Sequence, residues 1–129
     1  MTAAIKRWIG NNRFFLLAVA ILLFLNVRFD FYYIKTGSME PALPVGTVVI
    51  VDTDANAVIR AQEGDIFAYQ SGKNVVIHRI VSIDEEGYTF KGDANPSADA
   101  AKIARSQLIG KVIAKLKILV PVIRCFESR

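Results

Sequence analysis

The chain has 129 residues, a length that fits one small domain. It carries 16 Lys and Arg against 12 Asp and Glu, a net charge of +4. Basic and aromatic residues do not alternate in an RNA-binding pattern, so we expect no nucleic-acid partner; a mildly basic protein beside anionic lipid fits better. The single cysteine, Cys125, excludes an intrachain disulfide, and its position near the C-terminus gives no sign of a catalytic thiol.

An apolar segment near the N-terminus covers residues 14–27 (FFLLAVAILLFLNV) and contains one polar residue, Asn26. As a helix it would cover about 21 Å, less than the roughly 30 Å of a hydrocarbon core. Its flanks can extend it, with Arg13 reaching the interface on one side and an aromatic belt within residues 29–33 on the other. We therefore predict one transmembrane helix spanning about residues 12–32.

Two other interpretations of this segment fit less well. A cleaved signal peptide requires small residues shortly after the apolar run, whereas residues 27–34 (VRFDFYYI) are bulky or charged. The segment could instead be a buried helix of a soluble domain, but the run is apolar on every face, which argues against a half-exposed helix. A retained membrane anchor is therefore the prediction.

The charges beside the segment predict its orientation. Lys6, Arg7 and Arg13 precede it, while Arg28 and Lys35 follow it. The positive-inside rule then places the N-terminus in the cytoplasm. We expect a single-pass membrane protein whose following domain lies on the non-cytoplasmic side.

The predicted boundary between anchor and domain falls after residue 34. Residues 1–34 would form the cytoplasmic N-terminus and the anchor, and residues 35–129 a single small, mainly β domain. Short β-branched and aromatic runs bounded by Gly, Pro, Asn and Asp indicate its strands. The predicted strands are residues 47–51 (TVVIV), 65–69 (DIFAY), 74–83 (NVVIHRIVSI), 88–91 (YTFK) and 109–122 (IGKVIAKLKILVPV).

The last of these stretches, residues 109–122, is not a second membrane span. Lys111, Lys115 and Lys117 would then lie in the hydrocarbon, at a high cost in free energy. Apolar and polar residues alternate where it begins, so we predict an edge strand packed on the core. The alternative is that its apolar end, residues 118–123, rests on the lipid surface.

The chain has one histidine, His78, and it lies in a predicted strand. A structural role is the default for a lone histidine, but histidine is also a common general base because it titrates near neutral pH. Ser38 lies in the segment TGSMEP, where Gly37 frees the backbone and Pro41 stiffens the exit. Such a turn can hold a hydroxyl exposed and fixed; an ordinary polar turn residue is the alternative.

The predicted loop at residues 92–99 (GDANPSAD) offers two carboxylates, Asp93 and Asp99. A carboxylate bound to the second ring nitrogen of a histidine would hold it in one tautomer. Both residues could instead cap amides within their own loop. The residue pattern alone leaves open whether these aspartates, Ser38 and His78 meet.

Together these segments resemble the type I signal peptidase family. The resemblance runs from the anchor through Ile113. Each motif alone is weak, but five of them in the family's order behind an N-terminal span are specific. They are TGSMEP at 36–41 (similar to the nucleophile box), VG at 45–46 before the strand at 47–51, GDIF at 64–67, KGDAN at 91–95 and IGKV at 109–112.

One position assigns the chain to a subtype of the family. Common bacterial members have Lys-Arg where this chain has His78-Arg79. The form of the endoplasmic reticulum, of archaea and of some sporulating Gram-positive bacteria has histidine, so the chain resembles this Ser-His form. Ala94 departs from the usual bacterial box but suits the His form. A histidine base also works near neutral pH without the strong desolvation that a lysine base requires.

The resemblance implies a role for each candidate residue. Ser38 would be the nucleophile and His78 its base. Asp99 would orient His78, with Asp93 as the second candidate for that role. The amide of Ser38 and the hydroxyl of Thr36 would stabilise the oxyanion. The resemblance implies no cofactor and no metal.

The implied activity is that of a serine endopeptidase, a hydrolase that removes N-terminal signal peptides from exported preproteins. The family's substrates have small residues one and three positions before the cleaved bond. The implied partners are these signal peptides, the lipid bilayer and, as in relatives of the His form, partner subunits. The alternative from another class is a catalytically inactive, membrane-anchored β-module that acts as a scaffold, which would not need Ser38 and His78 together.

Overall fold

The computed structural model describes residues 2–118. Its strands form one six-stranded antiparallel sheet in the order β1-β2-β6-β3-β4-β5. The β-rich class predicted from the sequence is thus confirmed. The elements are α1 (Ala3–Asn11), α2 (Arg13–Arg28), β1 (Phe29–Tyr33), β2 (Thr47–Asp52), α3 (Ala55–Ile59), β3 (Ile66–Ser71), β4 (Asn74–Asp84), β5 (Gly87–Lys91) and β6 (Leu108–Lys117).

Apolar side chains cover both faces of the sheet. Successive side chains of a strand point to opposite faces, so Phe67 and Tyr69 of β3 enter one buried cluster and Ala68 enters the other. The first cluster consists of Phe67, Tyr69, Ile80, Tyr88, Phe90, Ile103 and Leu108. The second consists of Ile34, Met39, Leu43, Val49, Val51 and Ala68.

The prediction that the C-terminal strand lies at an edge of the sheet is wrong. Strand β6 pairs with β2 on one side and with β3 on the other. Gly110 permits this close packing, because a Cβ atom there would lie 2.8 Å from Cγ1 of Val51. Two lysines of this strand have partners: Lys111 pairs with Asp65 at 3.0 Å, and Lys115 donates to the carbonyl oxygen of Ala42 at 2.7 Å. Residues 119–122 of the predicted strand, and residues 119–123 of the apolar end that could rest on the lipid surface, lie outside the described residues.

The predicted helical span up to residue 32 is also wrong at its C-terminal end. Helix α2 ends at Arg28, and Phe29–Tyr33 is strand β1, paired with β2. The aromatic residues therefore belong to the sheet, which suits their high strand propensity. The junction is fixed by the guanidinium of Arg28, which bonds to Asp54 at 2.5 Å and Asp52 at 3.1 Å, and by the amide of Thr53, which donates to the Arg28 carbonyl at 3.0 Å.

Within residues 2–118, no single helix is both long and apolar enough to cross a bilayer. Helices α1 and α2 meet the length and composition requirements only when taken together, and they are bent by 72° at the break between them.

Candidate active site

Ser38 lies in a single turn of 3₁₀ helix, Gly37–Met39, which follows β1. Two features hold this turn in place. The side chain of Met39 is 1% exposed and packs in the second cluster. The amide of Leu43 donates to the Met39 carbonyl at 2.8 Å. The serine hydroxyl therefore projects from a turn whose neighbouring residue is anchored in the core.

His78 lies in β4, directly opposite Phe67 of β3. Its Nε2 lies 3.1 Å from Oγ of Ser38, and its Nδ1 lies 2.6 Å from Oδ2 of Asp99. An ionised carboxylate only accepts hydrogen bonds, so Nδ1 carries the proton and donates to Asp99. In the neutral ring, Nε2 is then free to accept the Ser38 hydroxyl proton. The three side chains can thus act as nucleophile, base and orienting carboxylate.

Asp99 is held by two further contacts. Its backbone amide donates to the carbonyl oxygen of Phe90 at 2.8 Å. The hydroxyl of Tyr69 donates to Oδ2 at 2.7 Å, the same oxygen that accepts from His78. Sequence reasoning missed Tyr69. The strand pairing was needed to find it, because β3 and β4 pair in a register that places Tyr69, Phe67 and His78 on one face of the sheet.

Asp93, the second candidate for the orienting role, binds Arg79 instead. Two parallel hydrogen bonds join Arg79 Nε to Oδ1 at 2.8 Å and Nη2 to Oδ2 at 2.7 Å. Arg79 Nη1 also donates to the Gly64 carbonyl at 2.7 Å. The Arg79 guanidinium holds the pKa of the Asp93 carboxyl below its usual range. This pair ties the loop after β5 to β4, one residue beyond His78.

We expect Asp93→Asn to lower the free energy of unfolding at neutral pH by about 1 kcal/mol, a small value because both side chains are partly exposed. The folded-state pKa of Asp93 is lowered, so its contribution is present above the unfolded-state pKa and is lost as pH falls through the folded-state pKa. Urea unfolding in detergent micelles should therefore separate wild type and variant at about pH 7 and bring them together at a pH below the folded-state pKa of Asp93.

The control for this variant is Asp84→Asn, which removes a more exposed pair with Lys102. We expect no measurable change in stability there. An Asp93→Asn deficit of the same size at both pH values would contradict the ion-pair explanation.

An open groove of about 470 Å³ runs past the Ser38 and His78 side chains. One wall is the free edge of β4: residues 74–79 pair with β3, but on the opposite side β5 pairs only from Arg79 onward. Among residues 2–118, residues 74–78 therefore have no strand partner on that side. The groove is lined by residues 33–36, Ser38, Met39 and residues 74–78.

Thr36 lies at the same end of the groove, with its Oγ1 3.4 Å from Oγ of Ser38. The structure thus brings together Ser38, His78, Asp99 and Thr36 from the residues singled out in the sequence. It places Asp93 on Arg79 rather than on the His78 ring.

Similarity to known proteins extends over most of the chain. The family model described as "Signal peptidase, peptidase S26" matches residues 5–114. A similar protein is Signal peptidase I W of Bacillus subtilis (strain 168), with 34% identity over 76 residues, 55% of this chain and 40% of that protein. The chain thus spans less than half the length of this relative. Because the family match covers most of the chain, including the Ser38 turn, His78 and the Asp99 loop, the chain belongs to the signal peptidase family, peptidase S26.

Proposed function

We propose that this chain is a membrane-bound serine endopeptidase that removes N-terminal signal peptides from exported preproteins by a Ser-His-Asp mechanism. The observation that carries the proposal is the continuous contact from Ser38 Oγ to His78 Nε2 at 3.1 Å and from His78 Nδ1 to Asp99 at 2.6 Å. This chain of contacts lies at the wall of an open groove. Membership of the signal peptidase family supports the same reaction.

In the proposed mechanism, Ser38 Oγ attacks the scissile carbonyl carbon while Nε2 of His78 takes the hydroxyl proton. The protonated ring then gives this proton to the leaving amine as the C–N bond breaks. Water, activated by the same ring nitrogen, hydrolyses the acyl-enzyme. The Ser38 amide and the Thr36 hydroxyl are the proposed donors to the oxyanion, and Asp99 keeps the ring in the tautomer that accepts at Nε2.

The proposed substrate segment is an extended peptide that adds a strand to the free edge of β4 at residues 74–78. In such a peptide, alternate side chains face the same way. The residues one and three positions before the cleaved bond would therefore point to the same wall of the groove. Ile34 and Ile77, which pack in the same buried cluster, line the groove and supply apolar surface, which fits a requirement for small apolar residues at those two positions.

Helix α2 is the proposed membrane anchor. It has no buried residue within the described chain, and its side chains from Phe14 (75% exposed) to Val27 (82%) are exposed except for Leu16, which is partly buried. A helix that is apolar on every face needs an apolar environment, and lipid would supply it. We place the N-terminus in the cytoplasm and the sheet on the other side of the bilayer. Confining enzyme and signal peptide to one membrane raises their effective concentration.

The test is processing of a preprotein whose signal peptide ends in Ala-x-Ala, using the full chain in bilayer nanodiscs. Cleavage after the second Ala, shown by the N-terminal sequence of the product, would support the proposal. Cleavage should be lost when either Ala is replaced by Trp. The resemblance to the His form also implies partner subunits, so the assay is repeated with the chain in its native membrane, which would supply them. No cleavage in either setting would favour the inactive scaffold.

Gly92 gives a separate test of the geometry around Ser38. A Cβ atom at Gly92 would lie 2.6 Å from the carbonyl oxygen of Ser38, which also accepts a hydrogen bond from the Ala94 amide at 2.9 Å. Gly92→Ala must therefore shift either the Ser38 backbone or the loop that carries Gly92 and Asp99, and both shifts would disturb the contacts of the nucleophile. We expect kcat for preprotein cleavage to fall about 10²-fold, as shifts of about 1 Å in a reacting group do.

The control for Gly92→Ala is Gly110→Ala, a more crowded site that abuts Asp52 and Val51 on strand β2. Both variants should lower the thermal unfolding midpoint, but only Gly92→Ala should lower the rate per folded molecule by more than about tenfold. Equal rates per folded molecule in the two variants would contradict a specific effect on Ser38.

A further inference from the structure

We propose that Tyr69 is a positioning residue of this site: its hydroxyl holds the carboxylate of Asp99 against His78 and so controls how readily the ring takes up a proton. The catalytic consequence rests on the function proposed above. The structural part does not, because it concerns contacts among three side chains.

The geometry at Asp99 is specific. Oδ2 accepts from the Tyr69 hydroxyl at 2.7 Å and lies 2.6 Å from Nδ1 of His78. One oxygen thus lies between two donors, and a rotation of the carboxylate would break both contacts. The side chain of Asp99 is 23% exposed and belongs to a loop, so water is an available competitor. The hydrogen bond from the Tyr69 hydroxyl keeps the Asp99 carboxylate turned toward His78 rather than toward water.

Tyr69 is itself fixed within the core. It is 3% exposed, and its ring stacks on Phe90 at a centroid distance of 4.3 Å. Its ring also meets that of His78 edge to face at 6.5 Å. The backbone carbonyl of Phe90 accepts from the Asp99 amide, so Phe90 supports both partners of the contact. Burial, together with the hydrogen bond to Asp99, raises the pKa of Tyr69 above its usual range, which keeps the hydroxyl a donor.

Three other charged groups close to His78, namely Arg79, Asp93 and Lys91, have partners of their own. Arg79 and Asp93 neutralise each other, and Lys91 donates to the carbonyl oxygen of Gly92 at 3.3 Å. Asp99 is the carboxylate that touches the ring. Of the titratable and charged groups around His78, Asp99 contacts the ring, Tyr69 meets it edge to face, and Lys35 lines the same groove. Arg79 follows His78 in β4 and binds Asp93, and Lys91 of β5 pairs with Arg79 across the strands.

The variant Tyr69→Phe removes the hydroxyl and keeps the ring that stacks on Phe90. Without the hydroxyl, we expect the Asp99 carboxylate to turn toward water and its contact with Nδ1 to weaken. The protonated ring is then stabilised less by the negative charge of the Asp99 carboxylate. The midpoint of the His78 titration should therefore fall toward the value found in Asp99→Asn.

The chain contains one histidine, so labelling histidine with ¹³C gives a single ring signal. We would titrate this signal by NMR in the full chain in nanodiscs, for wild type, Tyr69→Phe, Asp99→Asn and the double variant. Tyr69→Phe should shift the midpoint in the wild-type background and cause no further shift in the Asp99→Asn background, because the effect passes through Asp99. The matched control is Tyr88→Phe, a tyrosine 5% exposed in the same cluster, which should leave the midpoint unchanged.

In the processing assay, Tyr69→Phe should lower kcat about tenfold, the scale of one lost hydrogen bond to a charged group, and leave KM unchanged. An unchanged His78 midpoint would overturn the proposal, and so would a shift that persists in Asp99→Asn. A rise of the midpoint would also overturn it. It would mean that the carboxylate stays against the ring without the hydroxyl, and that the hydroxyl had only weakened the effect of the carboxylate's negative charge on the ring. The titration does not depend on activity, so a failure of the proposed function would be seen separately, as absent processing by wild type.

Discussion

Replacing Ser38 by Ala is expected to lower the rate of preprotein cleavage by about 10⁴-fold or more, because no other group then forms the acyl-enzyme. Substrate binding in the groove should persist, because only the hydroxyl is lost. Single-turnover cleavage in nanodiscs, followed by gel shift of the preprotein, measures this loss at equal amounts of folded enzyme.

The control for Ser38→Ala is Ser97→Ala. Ser97 is exposed in the loop that carries Asp99, and its removal should change the rate less than about twofold. Cleavage by Ser38→Ala at more than a few per cent of the wild-type rate would contradict a serine mechanism at this position.

Replacing His78 by Gln is expected to lower kcat about 10³-fold to 10⁴-fold, since the serine then has no base. The pH dependence gives a second signature. A general base must be neutral to accept a proton, so wild-type activity should fall as acidification protonates the ring and should level off at higher pH. The residual activity of His78→Gln should lack this acidic decline. The measurement is kcat against pH over about 5 to 8.5, where an ordinary histidine titrates.

The two active-site variants together locate the base. Loss in both His78→Gln and Ser38→Ala supports the Ser-His pair. Activity that survives in His78→Gln but not in Ser38→Ala would keep a serine peptidase and assign the base to another group. A wild-type rate that is flat across the pH range would also contradict His78 as the base.

Much of the sheet could be predicted because its signals are local. The strands at β2, β3, β4 and β5 were predicted within two residues of their observed ends, since each is a β-branched or aromatic run bounded by turn residues. β1 was not predicted, because its aromatic residues also suit a membrane interface. Only pairing with β2 and the Arg28 contacts decide between strand and helix, and these are contacts between distant parts of the chain.

The site divides in the same way. Ser38 and His78 lie in motifs that can be found in the sequence. The residues alone did not decide between Asp93 and Asp99, because both lie in one loop, and the choice depends on Arg79 reaching Asp93. Tyr69 carried no local signal, because its hydroxyl becomes relevant only through the strand register and the fold of the loop after β5.

The junction at Arg28 has a mechanical consequence. Helix α2 passes into β1 with no intervening residue. Asp52, Thr53 and Asp54 all form hydrogen bonds to Arg28 at this junction. With α2 in the bilayer as proposed, this junction fixes the position of the sheet relative to the helix. It therefore sets the distance between the groove and the lipid surface. A peptide would then be cut at a fixed distance from where it leaves the membrane, so the length of its exposed stem, as well as its side chains, would decide which bond is reached.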